Sequence, residues 1–251
     1  MSLRQIMMQF LGITLPASAS ATLTEEETAQ PLARFFEETH QPARVVLNSL
    51  NALPAAQTIP VAAFSEAAAK ADILPCGYHR FRDKTGYVHA FAAHNSLSGE
   101  MLAWLLPWLG EGDDLRFKLT YPGFHASAKP SSHTEELLCV LRCALSIGAD
   151  VDGAAVEPIR LDFRFLQPQM LDGGGVFPSL IAAGGFTTAC FAFVLTPLAL
   201  HAFVWLGDGI SPLLRGFTSE KRLYDIARHC AFATAHITAI LPDLYAYATA
   251  R

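Results

Sequence analysis

Between residues 24 and 40 the apolar side chains Leu32, Phe35 and Phe36 recur at helical spacing, behind Thr24 and the three glutamates Glu25, Glu26 and Glu27. A threonine hydroxyl can cap a helix, a glutamate three residues on can complete a capping box, and acids suit the positive end of the helix dipole. This pattern predicts a helix over 24–40. A second is predicted over 61–71, closed by Asp72 and Pro75. From there the periodicity shortens. Residues 77–82 and 86–91 flank Asp83, Lys84 and Thr85 as the two arms of a hairpin. Ser98 can cap a helix over 99–109, limited by Pro107. A short strand is predicted over 115–120, a helix over 132–146 and a half-exposed strand over 159–165, where IRLDFRF alternates apolar and charged residues. Gly173, Gly174 and Gly175 read as a flexible loop.

The last third holds the two longest patterns. Residues 186–207 contain no Asp, Glu, Lys or Arg. That length can span a bilayer, but Pro197 and His201 interrupt it, and its Phe, Val and Thr content fits two strands meeting at a turn better. Residues 218–247 form one helical pattern. Its apolar stripe is Leu223, Ile226, His229, Ala233, Ile237, Ile240 and Leu244, and Pro242 is expected to kink or break it. Helices first, then antiparallel-looking strands, then a long final helix make an α+β fold. A curved sheet closed by that helix would enclose an apolar cavity fit for a small molecule.

Composition narrows the function. The chain has 251 residues, a net charge of −5, 51% hydrophobic and 16% charged residues, with a mean hydropathy of +0.28. It is too hydrophobic for a disordered chain and lacks the basic excess of a nucleic-acid binder. No membrane or nucleic-acid partner is expected. The N-terminal 21 residues share features with a secretory signal, but Gln5 and Gln9 break the apolar region. The five cysteines, at 76, 139, 143, 190 and 230, form no CxxC pair. Their odd number and apolar neighbours imply reduced, buried thiols and a cytoplasmic setting.

Nine histidines offer many candidate sites. His229 lies on the apolar side of the last helix, where a satisfied core histidine is the plainer alternative. His125 follows the Pro122–Gly123 turn, either as part of a site at a sheet end or as a surface loop residue. Glu157 lies in an apolar stretch, so its carboxylate needs a partner or solvent. Two imidazoles and a carboxylate make a catalytic zinc set with one position open. His79, His89 and His94 lie on or after the hairpin, exposed unless one of them reaches the cavity. Trp104, Trp108 and Trp205 are expected to pack the core.

Three segments carry a family resemblance: DKTGYV at 83–88, EMLAWLLPWL at 100–109 and RFKLTYPGFH at 116–125. They resemble the 2,4-diacetylphloroglucinol hydrolase family. Arg228-His-Cys230 with Leu241-Pro-Asp-Leu-Tyr245 is similar to that family's last helix, and Gln30 to Phe36 to its first. The resemblance implies a helix-grip fold, an antiparallel sheet wrapped on the long C-terminal helix. Residues 73–251 would form that catalytic or ligand-binding domain, and residues 1–72 an N-terminal helical extension. It implies zinc held by His125, Glu157 and His229, with the family's fourth ligand position falling on Ala233, which cannot bind a metal. The tyrosine of the Arg-Tyr-Lys-Leu motif falls on Phe117, and the histidine of the Trp-His-Pro box on Tyr121. Tyr121, Asp225 and His94 are the candidate catalytic side chains. Asp225, four residues before His229, could orient its imidazole or supply the missing oxygen; the plainer alternative is a first-turn acid facing solvent. The implied reaction is hydrolysis of a ketone C–C bond in an acylated aromatic or polyketide. A cyclase or isomerase using the same cavity, possibly without metal, and an inactive binding protein are the alternatives. The substrate would be apolar or aromatic, and a homodimer is left open.

Overall fold

The computed structural model describes residues 22–36, 39–60, 63, 69–111, 114–130, 139–145, 159–165, 169–171, 174–176, 179–183, 187–207 and 219–250. These residues form a mixed α+β fold in which one large sheet packs against a long C-terminal helix.

The chain enters through helix α1 (Glu25–Thr28), where the capping box forms in full: the Thr24 hydroxyl accepts from the Glu27 amide at 3.1 Å, and the Glu27 carboxylate accepts from the Thr24 amide at 2.7 Å. The helix predicted over 24–40 stops there. Pro31 forces Gln30 into an extended conformation (φ −77°, ψ 143°), and a 3-10 turn, Pro31–Phe35, follows in place of a continued helix. Helix α2 (Arg44–Ser49) leads to a two-residue strand, β1 (Asn51–Ala52). Most of the helix predicted over 61–71 lies outside the described residues, and a 3-10 turn, Ala71–Ile73, ends that region.

Strands β2 (Gly77–Arg80) and β3 (Gly86–Ala93) form the expected hairpin, with Gly77 opposite His89. Lys84 occupies a positive φ of 68° at the turn, and the Asp83 carboxylate accepts from the Thr85 amide and hydroxyl. Helix α3 (Gly99–Glu111) follows, with the Ser98 hydroxyl accepting from the Met101 amide. Residues 114–119 form helix α4 (Asp114–Leu119), not the predicted strand. Alternation required Lys118 to face water; it is instead buried, with Nζ 2.9 and 2.7 Å from the two carboxylate oxygens of Glu27. Strand β4 (His125–Pro130) starts at His125. The helix predicted over 132–146 is also corrected. Residues 139–145 form strand β5 (Cys139–Leu145), paired on both edges, and residues 131–138 lie outside the described residues. A short apolar run reads equally as helix or strand until its neighbours are known.

A strand, β6 (Ile159–Phe165), forms where one was expected. It is followed by β7 (Gln169–Leu171), β8 (Gly174–Val176) and β9 (Ser179–Ala183); β8 replaces part of the loop expected at the three glycines. Strands β10 (Thr187–Leu195) and β11 (Ala199–Leu206) pair as the expected hairpin, turning at Thr196, Pro197 and Leu198. Among the described residues the strands join in the order β1-β2-β3-β11-β10-β9-β6-β5-β4, with β8 on β10 and β7 on β8. The pairing between β1 and β2 is parallel.

Helix α5 (Glu220–Thr249) runs through Pro242 without ending. A proline inside a helix costs about 3 kcal/mol. Packing around it offsets this: Ile240, Leu241 and Leu244 are buried, and the Tyr245 hydroxyl donates to Glu100 of α3 at 2.8 Å.

Side-chain alternation along β3 and β11 sends residues to two cores. Val88, Ala90, Leu200, Ala202, Val204 and Leu206 meet the α5 side chains Leu223, Ile226, Ala231, Leu241 and Leu244. Tyr87, Phe203 and Trp205 face the other way and are covered by Leu53, Ile59 and Ala71. Every residue of β11 is buried. Burial on both faces, rather than a bilayer, accounts for the lack of charge there. No helix among the described residues is long and apolar enough to cross a membrane. Trp108 and Trp205 are buried as expected.

Candidate functional site

The turn after α4 delivers His125 to the helix α5. Thr120 ends α4, and the amides of Phe124 and His125 both donate to the Tyr121 carbonyl. Gly123 takes a positive φ of 81°, which favours glycine. His125 is thereby turned inward and buried, not exposed on a loop. Its Nε2 lies 3.2 Å from Nε2 of His229, although the two residues are 104 apart in sequence.

The hydrogen bonds fix the tautomer of His125. The Thr120 hydroxyl donates to the Phe117 carbonyl at 2.7 Å, and the same oxygen lies 2.6 Å from His125 Nδ1. With its proton committed, Oγ1 accepts, so Nδ1 carries hydrogen and Nε2 presents a lone pair toward His229. Phe117 stacks on the His125 ring at 4.3 Å, with an interplanar angle of 4°. The residue that lacks a hydroxyl therefore serves as a flat support.

Burial pushes both imidazoles toward the neutral form: His125 well below its ordinary value, reinforced by His229 and His236, and His229 down to about 3. Neutral imidazoles whose Nε2 atoms face each other can share one hydrogen or jointly hold a cation. Two nitrogens on one tetrahedral zinc, bonded at roughly 2.05 Å, stand roughly 3.3 Å apart. The observed 3.2 Å fits that ion. The hydrogen-bonded Nδ1 of His125 is the outer support that metal-binding histidines commonly have.

Around this pair stand Tyr121, with its ring 4.8 Å from that of His229, Phe124, stacked on Tyr121 at 4.3 Å, and Phe232. Burial raises the phenol of Tyr121 above its ordinary value, so it keeps its proton. Asp225 lies one turn before His229. One of its oxygens is buried without a hydrogen-bond partner among the described residues, and burial pushes its carboxyl up. Among the described residues no three His, Cys, Asp or Glu side chains gather around one point, so Asp225 does not join the imidazole pair. Glu157 lies outside the described residues.

His94 sits elsewhere, just past β3. Its Nε2 donates to the Thr196 carbonyl at 2.9 Å, and its Nδ1 accepts from the Leu97 amide. His236 is similarly engaged, with Nε2 donating to the Leu119 carbonyl and Nδ1 accepting from the His40 amide. Thr120 escaped the sequence reading; a hydroxyl five residues before a histidine is too common a pattern to single out.

The family model described as "DAPG hydrolase PhiG domain" matches residues 67–164, less than half of the chain. That span includes His125 and Glu157 and stops before His229. No curated protein matches the chain. Over residues 67–164 the chain is therefore similar to the DAPG hydrolase PhiG domain, and the buried His125 lies within that span.

Proposed function

We propose that the chain is a metal-assisted hydrolase that cleaves a ketone C–C bond in an acylated aromatic or polyketide-type natural product. The facing Nε2 atoms of His125 and His229, 3.2 Å apart with one tautomer fixed, carry this reading. The family match supplies the hydrolase class and the natural-product setting. The fold would be of the helix-grip kind, with α5 as the gripped helix. His125 and His229 would hold zinc, with Glu157 as the third ligand that the resemblance implies.

Bound zinc supplies Lewis acidity toward a carbonyl group and lowers the pKa of water toward neutrality. The protein's own groups do the rest. Phe117, Phe124 and Phe232 form aromatic walls beside the two histidines that suit a planar ring and exclude water. Tyr121, protonated throughout the physiological range, offers a proton from its phenolic oxygen to a substrate oxygen or to the departing ring carbon.

The decisive measurement is elemental analysis of protein purified without added metal. About one equivalent of zinc is expected, lost in His229→Ala. Unchanged zinc content in that variant would exclude His229 as a ligand. A second prediction concerns Thr120. Thr120→Val removes the acceptor of His125 Nδ1 and should weaken zinc binding about 10–100-fold in a chelator competition, while Thr120→Ser retains it. Equal affinity in all three proteins would show that the hydroxyl does not set the tautomer.

Ala233 and Phe117 favour a second reading, a cyclase or isomerase acting in the same site. Turnover of a ketone substrate without C–C cleavage by the metal-free protein would select it.

A further inference from the structure

A second pair of histidines lies on the other face of the sheet, away from His125 and His229. His89 on β3 is buried, against the default exposure expected for the histidines at 79, 89 and 94, and His201 on β11 is buried beside it. Their rings are nearly coplanar at 12°, and His89 Nε2 lies 3.1 Å from His201 Nδ1. Each outer nitrogen also has a partner. His89 Nδ1 lies 3.0 Å from the Pro75 carbonyl, and His201 Nε2 lies 3.1 Å from Oδ1 of Asp72. The Thr196 hydroxyl donates to that same carboxylate oxygen at 2.7 Å.

Counting hydrogens along this chain gives an odd result. A carbonyl stands at one end and a carboxylate at the other, and both accept. The bond to Pro75 needs a hydrogen on His89 Nδ1. The bond to Asp72 needs one between His201 Nε2 and Oδ1. The central bond needs a third, between the imidazoles. Two neutral imidazoles carry only two.

We propose that His89 and His201 form a buried proton-binding site: with Asp72 they hold one proton beyond the complement of two neutral imidazoles and a carboxylate, and this proton fastens the Ala71–Ile73 turn to the sheet. The excess positive charge and the carboxylate cancel, which makes its burial tolerable. His89 is stacked on Phe203 at 4.4 Å, and burial drives it down to about 3, so the extra proton resides between His201 and Asp72. Burial also holds His201 below its ordinary value, and the Asp72 carboxylate offsets part of that shift. The titratable groups facing the pair are Asp72 from the turn and His94 from beyond β3, whose field opposes the charge.

Loss of the proton leaves a lone pair against an acceptor at one of the three contacts. The Asp72 end yields, because its side chain is 32% exposed and can turn to water. The turn is then held by fewer bonds. Ala71 belongs to the layer covering Tyr87, Phe203 and Trp205, so the fastening controls how firmly that layer is seated. The clasp is closed below the titration of the pair and opens as pH rises through it.

Ring-nitrogen NMR on the full chain, labelled with 15N-histidine at about pH 5, below the lowered titration of the pair, tests this. Three of the four ring nitrogens of His89 and His201 should carry hydrogen. Two or four would overturn the proposal. In Asp72→Asn the carboxamide can donate to His201 Nε2, so the count should fall to two; a count of three would overturn it. Amide exchange at residues 71–76, relative to β3, should quicken about tenfold or more beyond the intrinsic pH effect between about pH 5 and 7 in the native chain. The same acceleration in Asp72→Asn would also overturn it. Should that variant fail to fold, the native proton count decides alone.

Discussion

Gly77→Ala is expected to destabilise the protein by about 3 kcal/mol or more, from backbone strain and overpacking together. Gly77 opens β2 at a φ of 146°, a conformation that side chains rarely adopt. An added Cβ would lie 2.3 Å from the Asn51 carbonyl oxygen and 2.9 Å from Leu53 Cγ. The first contact is with backbone, which cannot rotate away. It falls where Asn51 pairs with Gly77 and the Leu53 amide donates to the Tyr78 carbonyl at 2.7 Å. Relief of the clash therefore requires β1 to leave the sheet. Leu53 and Ile59 would follow, together with the 2.6 Å bond from Trp205 Nε1 to the Ile59 carbonyl. Urea melts of the two proteins measure the effect; a loss below about 0.5 kcal/mol would show that β1 contributes little to the fold.

The elements that could be read from the sequence were those whose local signal agrees with their packing. The 77–93 hairpin, the strand at 159–165, the 187–206 pair and α3 all form where the local pattern predicts them. Reading failed where a distant residue overrode the local pattern. Residues 115–119 look alternating, but Glu27, 91 positions away, supplies a partner that lets Lys118 be buried. Residues 139–145 take their identity from strands on both sides. Pro242 suggests a break in α5, which α3 and the sheet prevent.

The candidate site divides similarly. His125 and His229 came together through a family resemblance, since nothing local relates residues 104 apart. The supporting shell was invisible: Thr120 matters only because its own hydrogen is committed to Phe117. The His89–His201–Asp72 chain was hidden for another reason. It requires the register that sets Phe203 opposite His89 and His201 opposite Phe91, and strand sequences do not state their register.

Lys118→Met is expected to cost about 3–5 kcal/mol, because it strands a carboxylate that the fold has already removed from water. The Lys118 and Glu27 side chains are only 4% and 11% exposed. The ammonium also donates to the Thr22 carbonyl at 2.9 Å, so it ties the entering chain to α4. Adding Glu27→Gln should recover much of the loss, since glutamine keeps an oxygen for the Thr24 amide but carries no charge. Equal stability of the single and double variants would show that the stranded charge is not the cause. The site should respond as well. Helix α4 carries Phe117, which supports the His125 ring, and ends at Thr120, which fixes its tautomer. A helix released from Glu27 holds both less firmly. If the histidine pair holds zinc as proposed, its affinity should fall in Lys118→Met even where the protein remains folded, and return in the double variant. A buried ion pair contributes little net stability compared with well-packed apolar side chains. Its value here lies in fixing α4, and through α4 the imidazole that faces His229.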